Sequence, residues 1–327
     1  MSCKQYLSVL PGSVVIGSAD FVVFNRQRGL EILGPAPKLQ HKVFDVPSVV
    51  YEAPIYVPHL NKLFVTQDGP PGNLSNLVID LNMNPPTLET FVTDPPVYQP
   101  TGDILHDGMI YWAVQGNIQT LPDGQKQRSG VVRVDPATLK AEWLVNNYYG
   151  FSFGGLNDLT VDAFGDVWFT DSEYGYALGL SPAPSQIQLA TYRFRPSTGA
   201  ISVVEDTLSL PNGTNKRNIY AFDVVRPPNN QAPYLTSKRT IFQSLEGIPD
   251  GLKVARNGML VVGSGLSTGV DIIAQDGTPV ARIQTTHAVE NIAWTGEDLK
   301  TLWLVGIGGM SRVEFDLQGP DPNHIFL

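Results

Sequence analysis

LTVDAFGDVWFTD, residues 159–171, is an apolar strand, a polar turn containing glycine, and a second apolar strand. β-Branched and aromatic residues on both sides of such a turn read as a β-hairpin. The pattern recurs upstream as IYVPHLNKLFVTQ (55–67) and ILHDGMIYWAVQG (104–116), and downstream as LKVARNGMLVVGS (252–264) and IAWTGEDLKTLWLVG (292–306). A second unit, a strand ending near Asp, a turn and another strand, follows these. Its copies are NLVIDLN (76–82), VVRVDPATLKAEWLV (131–145) and TYRFRPSTGAISVVE (191–205), then IYAFDVV (219–225) leading to RTIFQ (239–243), VDIIAQDGTPVARIQ (270–284) and SRVEFD (311–316). An inner and an outer hairpin together make the four antiparallel strands of a propeller blade. The sequence therefore predicts an all-β, six-bladed β-propeller.

One blade, about 207–243, breaks the pattern. The interval from Val167 to Leu260 spans about two periods and holds the outer unit of 219–243, but no recognisable inner hairpin precedes that unit. After Pro211-Asn212-Gly213 the chain runs almost directly to Asn218-Ile219-Tyr220, leaving no room for two strands and a turn. The stretch SADFVVFN (18–25) is a spare strand, expected to pair with the last blade. No long segment has helical periodicity and no linker divides the chain, so residues 18–327 read as one propeller domain after an N-terminal segment of 1–17.

Composition narrows the partners. The net charge of −9, without Lys/Arg clusters, argues against nucleic acid or an acidic membrane. The single cysteine, Cys3, excludes an internal disulfide and agrees with a reducing compartment. No apolar run approaches membrane-spanning length, and Pro11-Gly12 breaks up the first apolar stretch, which makes a poor signal peptide. A cytoplasmic protein acting on a small molecule is expected.

In a propeller, polar residues just before each inner strand converge on a common pocket. Those positions are Glu52, Thr101-Gly102-Asp103, Asn157-Asp158, Asn212, Asp250 and Glu290-Asn291. Each taken alone is an ordinary turn residue, but their recurrence at matching places of several repeats points to a shared role. Hard oxygen donors of this kind suit Ca²⁺ or Mg²⁺, with Mn²⁺ or Zn²⁺ as further candidates. His287, three residues before Glu290, is a candidate pocket residue; His59 and His106 read as exposed loop residues. Trp112, Trp168, Trp294 and Trp303 read as packing between blades.

The segments YEAP (51–54), LNDLTVDAFGDVWFTD (156–171), PNG (211–213), NIYAFDV (218–224) and GIPDGLKV (247–254) follow one another in a specific order. In that order and spacing the chain resembles the senescence marker protein/gluconolactonase/luciferin-regenerating enzyme family, especially its fungal lactonohydrolase-like members. The resemblance implies a six-bladed propeller with one divalent cation held by a Glu, two Asn and an Asp. Here these are Glu52, Asn157, Asn212 and Asp250. It also implies a catalytic pair, with Asp250 as general base and Glu52 holding the metal. Two departures stand out: the inner hairpin that should follow PNG and fix Asn212 is missing, and Asp103 adds a carboxylate where relatives carry an Asn-Gly-Gly-like turn.

Metal-dependent opening of a lactone or related ester is the function this implies. Two rivals share the scaffold: a non-hydrolytic enzyme of natural-product biosynthesis (cyclase, isomerase or pericyclase) and a non-catalytic binding propeller. A serine hydrolase is not expected.

Overall fold

A computed structural model describes residues 7–8, 19–121, 123–208, 217–228, 231–244 and 246–321. The N-terminal part supplies strands β1 (Leu7–Ser8), β2 (Phe21–Val23) and β3 (Lys38–Gln40), with helix α1 (Arg26–Leu33) between the last two. Asn25 caps that helix, its side chain accepting from the Arg28 amide at 3.1 Å.

Three four-stranded antiparallel sheets follow in chain order. The first contains β4 (Val50–Val57), β5 (Lys62–Gly69), β6 (Asn76–Asp80) and β7 (Thr87–Phe91). The second contains β8 (Pro100–His106), β9 (Met109–Val114), β10 (Gly130–Val134) and β11 (Ala141–Val145). The third contains β12 (Leu156–Val161), β13 (Val167–Asp171), β14 (Thr191–Arg195) and β15 (Ala200–Glu205). These form one compact unit together with the tip, 221–239, of a two-stranded sheet made of β16 (Asn218–Val225) and β17 (Tyr234–Gln243).

A second compact unit holds the N-terminal strands, the base of that hairpin and residues 240–321. Its sheets are β18 (Ile248–Val254), β19 (Leu260–Gly265), β20 (Thr268–Ile273) and β21 (Pro279–Ala288), extended by β2 and β1, and then β22 (Asn291–Thr295), β23 (Thr301–Gly306) and β24 (Gly309–Glu314), completed by β3.

The expected all-β class and its six successive sheets are thus present among the described residues, and the fourth has its outer pair alone. One strand assignment is corrected. The 18–25 segment pairs through β2 with β21 of the fifth sheet (Phe21 opposite Ile283), and it is β3 that completes the last sheet, with Arg312 opposite Gln40. The alternating Phe21 and Val23 bury one face against the fifth sheet, whereas exposed Lys38 and Gln40 suit an outermost edge.

Period-2 alternation explains how successive sheets pack in the first unit. Between the first and second, Val57 and Phe64 meet Ile110, Trp112 and Val114. Between the second and third, Tyr111, Ala113 and Val131 meet Leu159, Val161, Phe169 and Tyr192. The hairpin base in the other unit is anchored by Ile219 and Phe242 against Val262 and Ile273. All four tryptophans named above are buried, as their strand positions predict.

Candidate active site

Glu52, Thr101–Asp103, Asn157–Asp158 and Asp250 lie within the first residues of their inner strands rather than ahead of them, while Glu290 directly precedes β22 and Asn291 opens it; β4, β8, β12 and β18 are irregular there. Register shifts fall between Glu52 and Ile55 in β4, Pro100 and Gly102 in β8, Leu156 and Leu159 in β12, and Pro249 and Leu252 in β18. A bulge inserts an extra residue and re-aims its side chain out of the sheet plane. The sequence repeat therefore encodes a repeated bulge.

In the unit carrying the first three sheets, Glu52 is buried and its Oε2 accepts from the following amide, Ala53 N–H, at 2.9 Å. Ala53 has φ 43°, a left-handed conformation that a non-glycine residue adopts at a cost. Thr66 Oγ1 lies 3.0 Å from the Glu52 carbonyl and 2.7 Å from that of Pro100, tying β4 to β8. Thr101 Oγ1 donates to the Leu156 carbonyl at 2.9 Å, tying β8 to β12. At Gly102 a Cβ would come within 2.4 Å of Asp158 Cα and 2.7 Å of the Asn157 carbonyl, so glycine is what allows β12 to approach. The buried Asp103 and the half-buried Asn157 and Asp158 thus sit at adjoining strand ends.

In the other unit, Asp250 and Glu290 each offer a carboxylate oxygen, and these oxygens lie within 4.8 Å of one another. The Gly251 amide donates to the Glu290 carbonyl at 2.7 Å, and a Cβ there would lie 2.3 Å from Asn291 Cγ. A Cβ on Gly265 would lie 2.8 Å from both Asp250 Oδ2 and Glu290 Oε2. Glycine at 265 therefore makes room for the acid pair and glycine at 251 for the neighbouring Asn291, roles that residue chemistry alone does not announce. Glu290 Oε1 is buried and has no hydrogen-bond partner among the described residues. Two approaching acids with an unsatisfied oxygen form a site chemically matched to a cation.

His287 sits near the end of β21 with its ring against Gly309, where a Cβ would be 2.4 Å away, and with Nδ1 3.5 Å from Ser311 Oγ. Burial pushes its pKa down, which favours the neutral ring. The ring is part of the packing of β21 on β24. His106, expected to be exposed, is mostly covered and lies edge-on to Tyr111. Asn212 lies outside the described residues.

One acid escaped the sequence reading. Asp171, the last residue of β13, is fully buried and accepts from the Gly154 and Gly155 amides at 3.2 and 2.9 Å. Burial raises its pKa to about 7, against the opposing pull of those two amides. It fixes the loop that leads into Leu156 and Asn157.

Comparison with known proteins places this geometry. A family model, the SMP-30/gluconolactonase/LRE-like region, matches residues 124–307, more than half of the chain. The chain belongs to this family. Among curated members it is similar to lactonohydrolase oryL of Aspergillus oryzae, 38% identical over 339 residues that cover 92% of this chain and 76% of that protein. Among solved structures it is similar to a gluconolactonase of Xanthomonas campestris, at TM-score 0.72 and 21% identity, covering 93% of this chain and 98% of that one. It is also similar to regucalcin of Agrobacterium tumefaciens, a calcium-binding protein, at TM-score 0.61 and 12% identity, covering 88% and 97%. The structural likenesses establish the family's propeller-type fold. No helix among the described residues is long and apolar enough to cross a membrane.

Proposed function

We propose that the protein is a lactone hydrolase that works with one divalent cation. Membership of a family whose relatives are named lactonohydrolase and gluconolactonase supports the reaction class. The observation that carries the reading is the Asp250–Glu290 acid pair, kept close by Gly251 and Gly265, in a chain of that ancestry.

The ligand set is the one the family resemblance implies: Glu52, Asn157 and Asp250, with Asn212 as the fourth. Glu290 is a carboxylate that the sequence placed at the pocket and that stands beside Asp250. All are hard oxygen donors, which suit Ca²⁺ or Mg²⁺ better than Mn²⁺ or Zn²⁺, and the likeness to the calcium-binding regucalcin supports Ca²⁺. When bound, the cation polarises the lactone carbonyl and stabilises the charge that develops on its oxygen.

The chain's own residues do the rest. An Asp250 carboxylate oxygen takes the proton from the attacking water and returns it to the alkoxide released when the ring C–O bond breaks. Glu52, its Oε2 tied to the Ala53 amide, is fixed in orientation. Asp103, Asp158 and Asn291, which hold matching positions in the repeat, are assigned to orient the substrate's polar groups.

The test is metal content of the purified protein, with lactone opening assayed before and after chelation. The expected result is one equivalent of metal and activity lost on chelation and restored by Ca²⁺. Glu52→Ala abolishes metal binding, and Asp250→Asn lowers kcat by about 10²–10⁴-fold. Stoichiometric metal without lactone turnover would move the reading to a non-hydrolytic small-molecule enzyme.

A further inference from the structure

The third sheet has two unlike faces. Leu159, Val161, Phe169 and Tyr192 point into the core shared with the second sheet. The alternate residues, Asp158 and Thr160 in β12, Trp168 and Thr170 in β13 and Thr191 in β14, make the opposite face. By the packing of the first three sheets, the inner hairpin of the next blade would cover that face. Among the described residues the fourth sheet has no such hairpin, and the cover is left to the tip of β16–β17, through Val224, Arg226 and Leu235. Between tip and sheet lies a cavity of about 330 Å³.

Its wall is mostly apolar for reasons that can be read off the bonds. Thr170 Oγ1 lies 3.1 Å from the Asp158 amide and 3.3 Å from the Asp158 carbonyl, so its hydroxyl is engaged with the backbone and its methyl is left to the cavity. Trp168 Nε1 donates to Asp162 at 2.9 Å, which turns the indole's polar atom away. Arg226 donates to the same carboxylate at 2.9 Å and lies over the Phe164 ring at 4.6 Å, so its charge is already matched. The wall ends at Asp158, next in the chain to the presumed ligand Asn157. A dry-walled space of this size, ending at one polar group of a candidate site, is the usual form of a small-molecule subsite.

We infer that the shortened blade gives this enzyme a hydrophobic subsite, and that its substrates are lactones carrying an apolar chain, which lies between β12–β14 and the β16–β17 tip. This rests on the lactonase reading for the reactive end of the substrate; the apolar subsite is read from the cavity itself.

The experiment has two independent arms. In the first, kcat/KM is measured on γ-lactones of one ring size with alkyl chains of increasing length. Each added methylene should raise it by up to about fourfold until the cavity is filled, the factor that burial of one methylene provides. Leu235→Trp, which fills the cavity from the hairpin side, should collapse the long-chain to short-chain ratio. Leu235→Ala, which enlarges it, should move the optimum to longer chains. In the second arm, octan-1-ol binding is followed by calorimetry, with one saturable site expected in the wild type and none in Leu235→Trp.

A flat chain-length series, or a series unmoved by either Leu235 variant, overturns the inference, as does absence of saturable octan-1-ol binding. Octan-1-ol binding that is lost in Leu235→Trp, in a protein that opens no lactone, overturns the reaction and leaves the apolar subsite standing.

Discussion

The sheet of residues 156–205 and the hairpin of 218–243 occupy successive places in one repeat, yet they are held by different means. The complete sheet buries a continuous aromatic layer in which Phe169 stacks on Tyr192 and Phe153 meets both edge-on. An isolated two-stranded hairpin is at best marginal in water. Here it survives on two apolar side chains at its base, Ile219 and Phe242, and on Arg226 near its tip, which reaches Asp162. An outer pair of strands can therefore persist without its inner pair when its two ends are pinned separately. The difference is between one cooperative core and a few point attachments.

That contrast can be broken by substitution. The largest effect is expected inside the complete sheet: Phe169→Ala should cost about 3–5 kcal/mol in a denaturant titration, the usual cost of removing a buried aromatic ring.

Next comes pH, acting on Asp171 alone. Its pKa is raised by folding from the ordinary 3.8 to about 7, so folding favours the protonated acid. The stability this gives is fully present below pH 3.8 and is lost as pH climbs through 7. Relative to Asp171→Asn, the wild type should lose on the order of a few kcal/mol across that window, read from paired melting curves. In the hairpin, Asp223 is exposed and paired with Arg239, so Asp223→Asn should show no comparable trend.

Phe242→Ala should cost less than the core substitution, about 2 kcal/mol, because a two-stranded sheet can collapse onto the gap. It should also release amide exchange in β16–β17 before β12–β13, and a uniform rise in both would remove the distinction drawn here. Smallest is Arg226→Ala, at about 1–2 kcal/mol, since Trp168 and the Phe164 and Asp166 amides still satisfy Asp162. Equal effects at Phe169 and Phe242 would mean that the hairpin belongs to the same cooperative core.

Much of this was legible before any coordinates. Hairpins announce themselves through alternation, and LTVDAFGDVWFTD shows both strands and the turn; the structure adds that the Asp162 side chain accepts from the Phe164 and Asp166 amides. The missing inner hairpin was legible too, because absent residues cannot form strands. The bulges were not: Gly265 looks like an ordinary strand glycine until the Asp250–Glu290 spacing shows what it makes room for. Nor was the partner of Phe21–Val23, because pairing across most of the chain leaves no local mark. Asp171 carries no mark of its own in WFTD, and only its burial in the fold explains the raised pKa.

The pairing of β2 with β21 and of β3 with β24 carries a consequence for how the protein is made. Ser311 Oγ donates to the His41 carbonyl across 270 residues of chain. β2 and β3 are thus made long before the strands that pair with them. The first three sheets, built from local hairpins, can form during synthesis, while the fifth and sixth stay unfinished, with open edges, until β21 and β24 have been made. Long-range pairing of this kind slows folding and prolongs exposure to aggregation. Pulse-labelling of released chains should find the 50–205 region protected first and the N-terminal strands last.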